Sequence, residues 1–147
     1  MDQLEINNSN KIKHLEFIQN IINRLATASF SVKTVVVAIV TAISAFFGKA
    51  GYGGTKHLCL YLFPPVMFWI LDSYYLGKER KFRNVYKYIC SKNETDFQMG
   101  DVKISFRNMM KSIFSFSNVL FYGTIVIFIF FMFFSSKNFK FFLFFWK

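Results

Sequence analysis

Two residues of opposite charge, Lys33 and Asp72, lie within or at the edge of apolar stretches of this chain. Lys33 precedes Phe47 by 14 residues, and Asp72 follows Leu58 by 14 residues. If the two stretches form an antiparallel transmembrane hairpin that turns at 48–57, the ammonium and the carboxylate reach the same depth. A charge below the headgroups costs roughly 2.5–3.5 kcal/mol on the insertion scale, so each charge needs a partner. The spacing predicts an intramembrane ion pair.

Asp72 admits two interpretations. In the first it forms a structural ion pair with Lys33, or with Arg24 through that residue's flexible side chain, and fixes the register of the hairpin. In the second it lines a water-filled path or a gate between subunits. A buried pair is weak evidence for net stability because desolvation offsets the attraction, yet losing one partner should cost more than losing both.

No nucleophile and base accompany this pair at a spacing typical of an enzyme. The two cysteines, Cys59 and Cys90, and the two histidines, His14 and His57, are too dispersed for a zinc or redox site. The glycine-rich loop 48–57 matches neither phosphate-binding motif and is predicted to be a turn. We therefore expect a protein that is not an enzyme and holds no metal and no cofactor.

The composition favours a membrane protein of one domain, residues 1–147. Hydrophobic residues make up 54% of the chain, and its mean hydropathy is +0.33. A net charge of +10 would suggest nucleic acid in a soluble protein. Beside membrane spans, the same charge sets topology and contacts anionic lipid, so we expect a lipid bilayer as partner and no nucleic acid.

Three apolar stretches predict transmembrane helices at 26–47, 58–76 and 113–134. The side that holds 1–25 and 77–112 carries twelve Lys and Arg residues, against five on the other side. The positive-inside rule then gives a cytoplasmic N-terminus. The predicted fold class is an all-α membrane protein: an N-terminal amphipathic helix, a transmembrane helical hairpin, a cytoplasmic basic helix and a third transmembrane helix.

The amphipathic helix is predicted to begin at Lys11, capped by Ser9 or Asn10. Its apolar residues recur at a spacing of three to four: Leu15, Ile18, Ile22 and Leu25. This stripe either contacts lipid or the rest of its own chain, or forms a seam for oligomerisation or for a partner. No helix breaker separates it from the first span, so the two can form one long, bent helix.

Pro64 and Pro65 interrupt the second span, and they predict a kink or a short unwound step. Such a break is tolerated where protein re-satisfies the freed carbonyls, so this face should point into an assembly. A basic segment follows directly and comprises Lys78, Arg80, Lys81, Arg83 and Lys87. It could contact the cytoplasmic leaflet, or it could bind a cytosolic partner, an anionic small molecule or RNA.

At the third span, Ser115, Ser117 and Asn118 stand at the start and are expected to bond across helices. The Phe-rich tail 137–147 is too short to span and is expected in the opposite interface.

Two segments resemble a group of small bacterial multi-span membrane proteins. They are H-L-E-F-I-Q-N-I-I-N-R-L-A-T-A-S-F-S-V-K (His14–Lys33) and F-P-P-V-M-F-W-I-L-D-S-Y-Y-L-G-K-E-R-K-F-R-N-V-Y (Phe63–Tyr86). The group is similar to the SLATT-like defence effectors, named as SMODS/SLOG-associating two-transmembrane proteins. Members usually carry Gly-Trp where Thr34 and Val35 stand here.

The resemblance implies an effector of a bacterial anti-phage or conflict system that permeabilises or depolarises the inner membrane when triggered. It implies a cytosolic sensor or nucleotide-signalling protein as partner, and we expect a homo-oligomer that forms through the hairpin and the N-terminal helix. Arg24, Lys33 and Asp72 would then set the gate or the register, and the basic segment would receive the signal. The alternatives are a non-conducting membrane anchor that recruits a cytosolic enzyme, and a small transporter or channel component.

Overall fold

The described residues form α-helices and no β-strands. The computed structural model describes residues 3–49, 58–92, 97 and 105–145. These residues form α1 (Gln3–Lys49), α2 (Leu58–Ser91), α3 (Phe106–Ile113) and α4 (Phe116–Phe145). Within this part of the chain, α1, α2 and the Phe116–Phe134 portion of α4 are long and apolar enough to cross a bilayer. The prediction of an all-helical protein with three candidate spans is confirmed at that level.

The N-terminal helix and the first span form one helix, α1. It begins at Gln3, so the predicted start at Lys11 is wrong, as is the capping role of Ser9 and Asn10. Serine and asparagine cost only about 0.5 kcal/mol each relative to alanine inside a helix, and neither glycine nor proline occurs before Lys11. A favourable cap residue therefore did not impose a helix start here.

The second span and the basic segment likewise form one helix, α2, which continues through Pro64 and Pro65. The alternative of an unwound step at the prolines is therefore wrong, and the kink stays a prediction. Pro65 is completely buried and Pro64 is half-buried. Pro65 and Tyr61, whose carbonyl lacks the donor that Pro65 would otherwise supply, thus lie on a packed side of the helix, where the altered hydrogen bonding is tolerated.

The helix that carries the third candidate span begins at Phe116, and the predicted bounds of that span, 113–134, stay a prediction. A short helix that the sequence analysis did not anticipate, α3, occupies Phe106–Ile113 before it. Its eight residues carry no apolar run, so hydropathy alone gave no signal. The turn predicted at 48–57 lies mostly outside the described residues. The backbone of α4 is helical as far as Phe145, and the interfacial position of the tail stays a prediction.

Contacts divide the chain into two compact units. Unit 1 comprises Met1–Ser31 with Ser73–Ser112, and unit 2 comprises Val32–Asp72 with Ile113–Lys147. The structure contains no bilayer, so the single membrane domain, its predicted bounds and the cytoplasmic segment 77–112 stay predictions.

In unit 2, the core forms where α1, α2 and α4 meet. Its buried members are Val36 and Val40 of α1, Tyr61 of α2, and Tyr122 and Ile129 of α4. The aromatic rings interlock: the rings of Tyr61 and Phe133 meet edge to face with centroids 5.1 Å apart. The third predicted span is thus a packed member of a three-helix cluster.

In unit 1, α1 and α2 pack through the stripe predicted from the sequence. Ile18 and Ile22 of α1 are buried against Phe82 and Ile89 of α2. The apolar stripe therefore contacts the protein's own chain, as one of its interpretations required. The ammonium of Lys11 donates hydrogen bonds to the carbonyls of Cys90 (3.2 Å) and Lys92 (2.7 Å), where α2 ends.

Candidate functional site

The two oppositely charged residues of the hairpin are joined in unit 2. The Lys33 ammonium forms an ion pair and a hydrogen bond with Oδ2 of Asp72. The Asp72 side chain is fully buried, while 19% of the Lys33 side chain is exposed. Direct contact is what keeps two charges tolerable in a site that excludes water, because each offsets the other's lost hydration.

The Tyr122 hydroxyl lies next to this pair. Tyr122 of α4 is completely buried. Its hydroxyl donates a hydrogen bond of 3.2 Å to the carbonyl of Phe68. The same hydroxyl lies within hydrogen-bonding reach of the Asp72 carboxylate. The Phe68 carbonyl is on the same helix as Asp72, one turn earlier. A polar group from α4 therefore reaches the site that the hairpin alone was expected to form.

Aromatic rings cover the site. Trp69 stacks on Tyr122 with centroids 5.7 Å apart and planes only 6° from parallel. The Lys33 ammonium lies 5.9 Å from the centroid of the Phe121 ring, at the outer limit of a cation–π contact. The Phe121 ring thus gives the ammonium a second favourable neighbour.

Trp69 also connects the hairpin to Ile113, which precedes α4. Its indole N–H donates a 3.1 Å hydrogen bond to the carbonyl of Ile113, the last residue of α3. Terminal helix carbonyls lack an intrahelical donor, so this bond satisfies an otherwise orphaned acceptor. Trp69 is itself half-buried within unit 2.

The sequence analysis missed Tyr122, Phe121 and the positioning role of Trp69. The signal that would have found Tyr122 is its spacing on α4, where Asn118, Tyr122 and Ile129 are all buried and recur at four and seven residues. Because this span is uniformly apolar, its hydropathy does not distinguish the buried face from the exposed one. Asn118, expected to bond across helices, is fully buried on the same face.

Arg24, the alternative partner proposed for Asp72, belongs to unit 1, where its side chain is exposed. The ion pair of Asp72 is with Lys33. A role for Arg24 in register or gating stays a prediction.

The predicted basic face lies on α2 in unit 1, and its members differ in what they contact. The Lys78 ammonium lies 5.0 Å from the centroid of the Tyr74 ring, and the Arg80 guanidinium reaches the carbonyl of Lys111 at 3.5 Å. Arg83 forms a 2.7 Å ion pair with Glu79 four residues earlier. Lys81 is half-buried and Lys87 is exposed. Lipid or partner contact at this face stays a prediction.

The geometry of unit 2 suits charge compensation and helix positioning. The described ranges contain no group of three or more histidine, cysteine or acidic side chains placed to hold a metal. The Asp72 carboxylate of α2 instead accepts a hydrogen bond from Lys33 of α1 and lies beside the Tyr122 hydroxyl of α4. One carboxylate therefore connects three helices. Any movement of α1 against α2 or α4 would have to separate these charges or replace one of the donors.

No protein-family model, curated protein or solved structure matches this chain.

Proposed function

We propose that this protein is a membrane-embedded, non-enzymatic effector of a bacterial anti-phage or conflict system, and that it permeabilises or depolarises the inner membrane when triggered. The chain crosses the membrane three times with its N-terminus in the cytoplasm. It acts as a homo-oligomer that responds to a cytosolic sensor or nucleotide-signalling protein. The segments His14–Lys33 and Phe63–Tyr86 carry the resemblance that suggests this system.

The observation that carries the proposal is the Lys33–Asp72 pair. Ionisable residues inside transmembrane segments are rare, pair with one another, and mark functional sites such as ion pathways and proton relays. Here a fully buried carboxylate holds donors from two other helices close to it. In the resting state the pair is closed and neutral overall. Triggering separates α1 from α2, exposes Asp72 to water and opens a path for ions.

A second candidate function is a non-conducting membrane anchor that recruits a cytosolic enzyme. The complete burial of Asp72 is compatible with this function, because a sealed pair can hold the hairpin in register without conducting ions. In that case the exposed residues of α2, such as Arg83 and Lys87, form the surface that binds the partner.

Induced expression in a bacterium distinguishes the two functions. The protein is expressed with and without its genomic neighbours, and a voltage-sensitive dye reports membrane potential after phage challenge. An effector collapses the potential after challenge. A steady potential, in cells where membrane insertion is verified by fractionation, refutes the effector; retention of a cytosolic enzyme on the purified protein then identifies the anchor.

A further inference from the structure

An open groove on unit 1 combines apolar residues with an acidic one. It has a volume of about 460 Å³ and is lined by α1 and by one residue of α2: Ile12, Leu15, Glu16, Gln19, Asn20 and Tyr86. Exposed Ile12 and Glu16 lie one turn apart on α1. The groove therefore offers both an apolar surface and a negative charge, in a chain whose net charge is +10.

The complementary surface is on α2 of the same unit. Arg83 and Lys87 are exposed and four residues apart, so they form a basic ridge one turn long. The guanidinium of Arg83 is ion-paired with Glu79, and 61% of its side chain remains exposed. A second copy of this chain thus carries the kind of surface that the groove would accept.

The two surfaces lie at the same height along the helices. Lys11 of α1 contacts the carbonyl of Lys92 at the end of α2. Glu16 follows Lys11 by five residues and Lys87 precedes Lys92 by five, so at 1.5 Å per residue each lies about 7.5 Å from that contact. By the same count, Asn20 and Arg83 are each nine residues away.

We propose that two copies of this protein pair through these surfaces, with Glu16 of each copy against Lys87 of the other. Copies inserted in one bilayer share an orientation, so a two-fold axis along the membrane normal brings together residues of equal height. Helix α1 of one copy then lies antiparallel to α2 of the other. In unit 1 the two hairpins form a four-helix bundle, in which each groove receives the basic ridge of the other copy.

This inference rests on the membrane placement in the proposed function, and it does not depend on conduction. The test is charge exchange in the full-length protein reconstituted in lipid vesicles, with self-association measured by energy transfer between labelled copies. Glu16→Lys and Lys87→Glu should each weaken the dimer about tenfold or more, since each puts like charges opposite one another. The two changes together restore opposite charges and should recover the wild-type dissociation constant.

Arg107→Glu is the matched control, because it makes the same change in charge as Lys87→Glu at an exposed position on α3. It should leave the dimer unchanged, and all variants should keep the helical content of the wild type. A wild-type chain that is monomeric in lipid overturns the proposal. This holds also if the monomer binds a basic peptide in the groove. A doubly exchanged variant no better than either single change also overturns it. A dimer that never depolarises cells would refute the proposed function and leave this interface standing.

Discussion

At the residue scale, the fully buried Asp72 is accommodated by its immediate neighbours. Lys33 supplies the opposite charge, and the Tyr122 hydroxyl, which donates to the Phe68 carbonyl, is a polar neighbour of the carboxylate. A buried ion pair is often no more stable than apolar residues of similar volume, whereas a single buried charge left behind is strongly unfavourable. The stability of unit 2 should therefore depend on the match between positions 33 and 72 more than on charge itself.

Replacing one member of the pair should be worse than replacing both. Asp72→Leu leaves the Lys33 ammonium facing a leucine, and we expect a loss of about 3 kcal/mol or more in the free energy of unfolding. Lys33→Leu combined with Asp72→Leu should recover most of it. Reversible unfolding in detergent micelles measures both variants, with Thr124→Leu as an exposed polar-to-leucine control on α4. If the double variant is no more stable than Asp72→Leu, the pair does not set the register.

Tyr122 contributes through its hydroxyl as well as its ring. Tyr122→Phe preserves the stacking with Trp69 but removes the hydrogen bond to the Phe68 carbonyl. We expect a loss of about 1 kcal/mol in the same unfolding assay, the usual value for one interhelical hydrogen bond. Tyr88→Phe, at a position 59% exposed, is the control and should have no effect. A Tyr122→Phe variant as stable as the wild type would show that the hydroxyl adds nothing to the site.

At the scale of elements, the sequence predicted the helices better than their boundaries. Apolar runs and the stripe through Ile18 and Ile22 are long-range signals, and the structure places helices at both. The start of α1 and the short α3 depend on local energies of a few tenths of a kcal/mol per residue, which packing overrides. Tyr122 was not predicted for a related reason. In a uniformly apolar span, the buried residues can be identified only when the neighbouring helices are known.

The junction between Lys11 and the end of α2 gives a prediction for one element. A lysine that bonds the last carbonyls of a helix stabilises that end, typically by about 0.3–1 kcal/mol. Lys11→Met should therefore increase amide hydrogen exchange in the last turn of α2, at residues 88–92, and leave the exchange of α4 unchanged. Lys13→Met, at an exposed position two residues on, is the control. Equal exchange in the two variants would show that Lys11 does not hold this end.

At the scale of the whole molecule, the three candidate spans have a direction that the native cysteines can report. Cys59 and Cys90 lie near opposite ends of α2, and both are exposed free thiols. With a cytoplasmic N-terminus, a membrane-impermeant maleimide should label Cys59 in spheroplasts and Cys90 only in inverted vesicles. The single variants Cys59→Ser and Cys90→Ser assign each signal. The opposite pattern would reverse the topology derived from the distribution of lysine and arginine.

Membrane potential in infected cells tests the central claim, a triggered effector whose buried pair matters, most directly. Wild type, Asp72→Leu and the control Thr124→Leu are expressed to equal levels in the membrane with the genomic neighbours present, and a voltage-sensitive dye is followed after phage challenge. We expect that the wild type and Thr124→Leu depolarise the cells and that Asp72→Leu does not. An unchanged potential with inserted wild-type protein, or full depolarisation by Asp72→Leu, would contradict it.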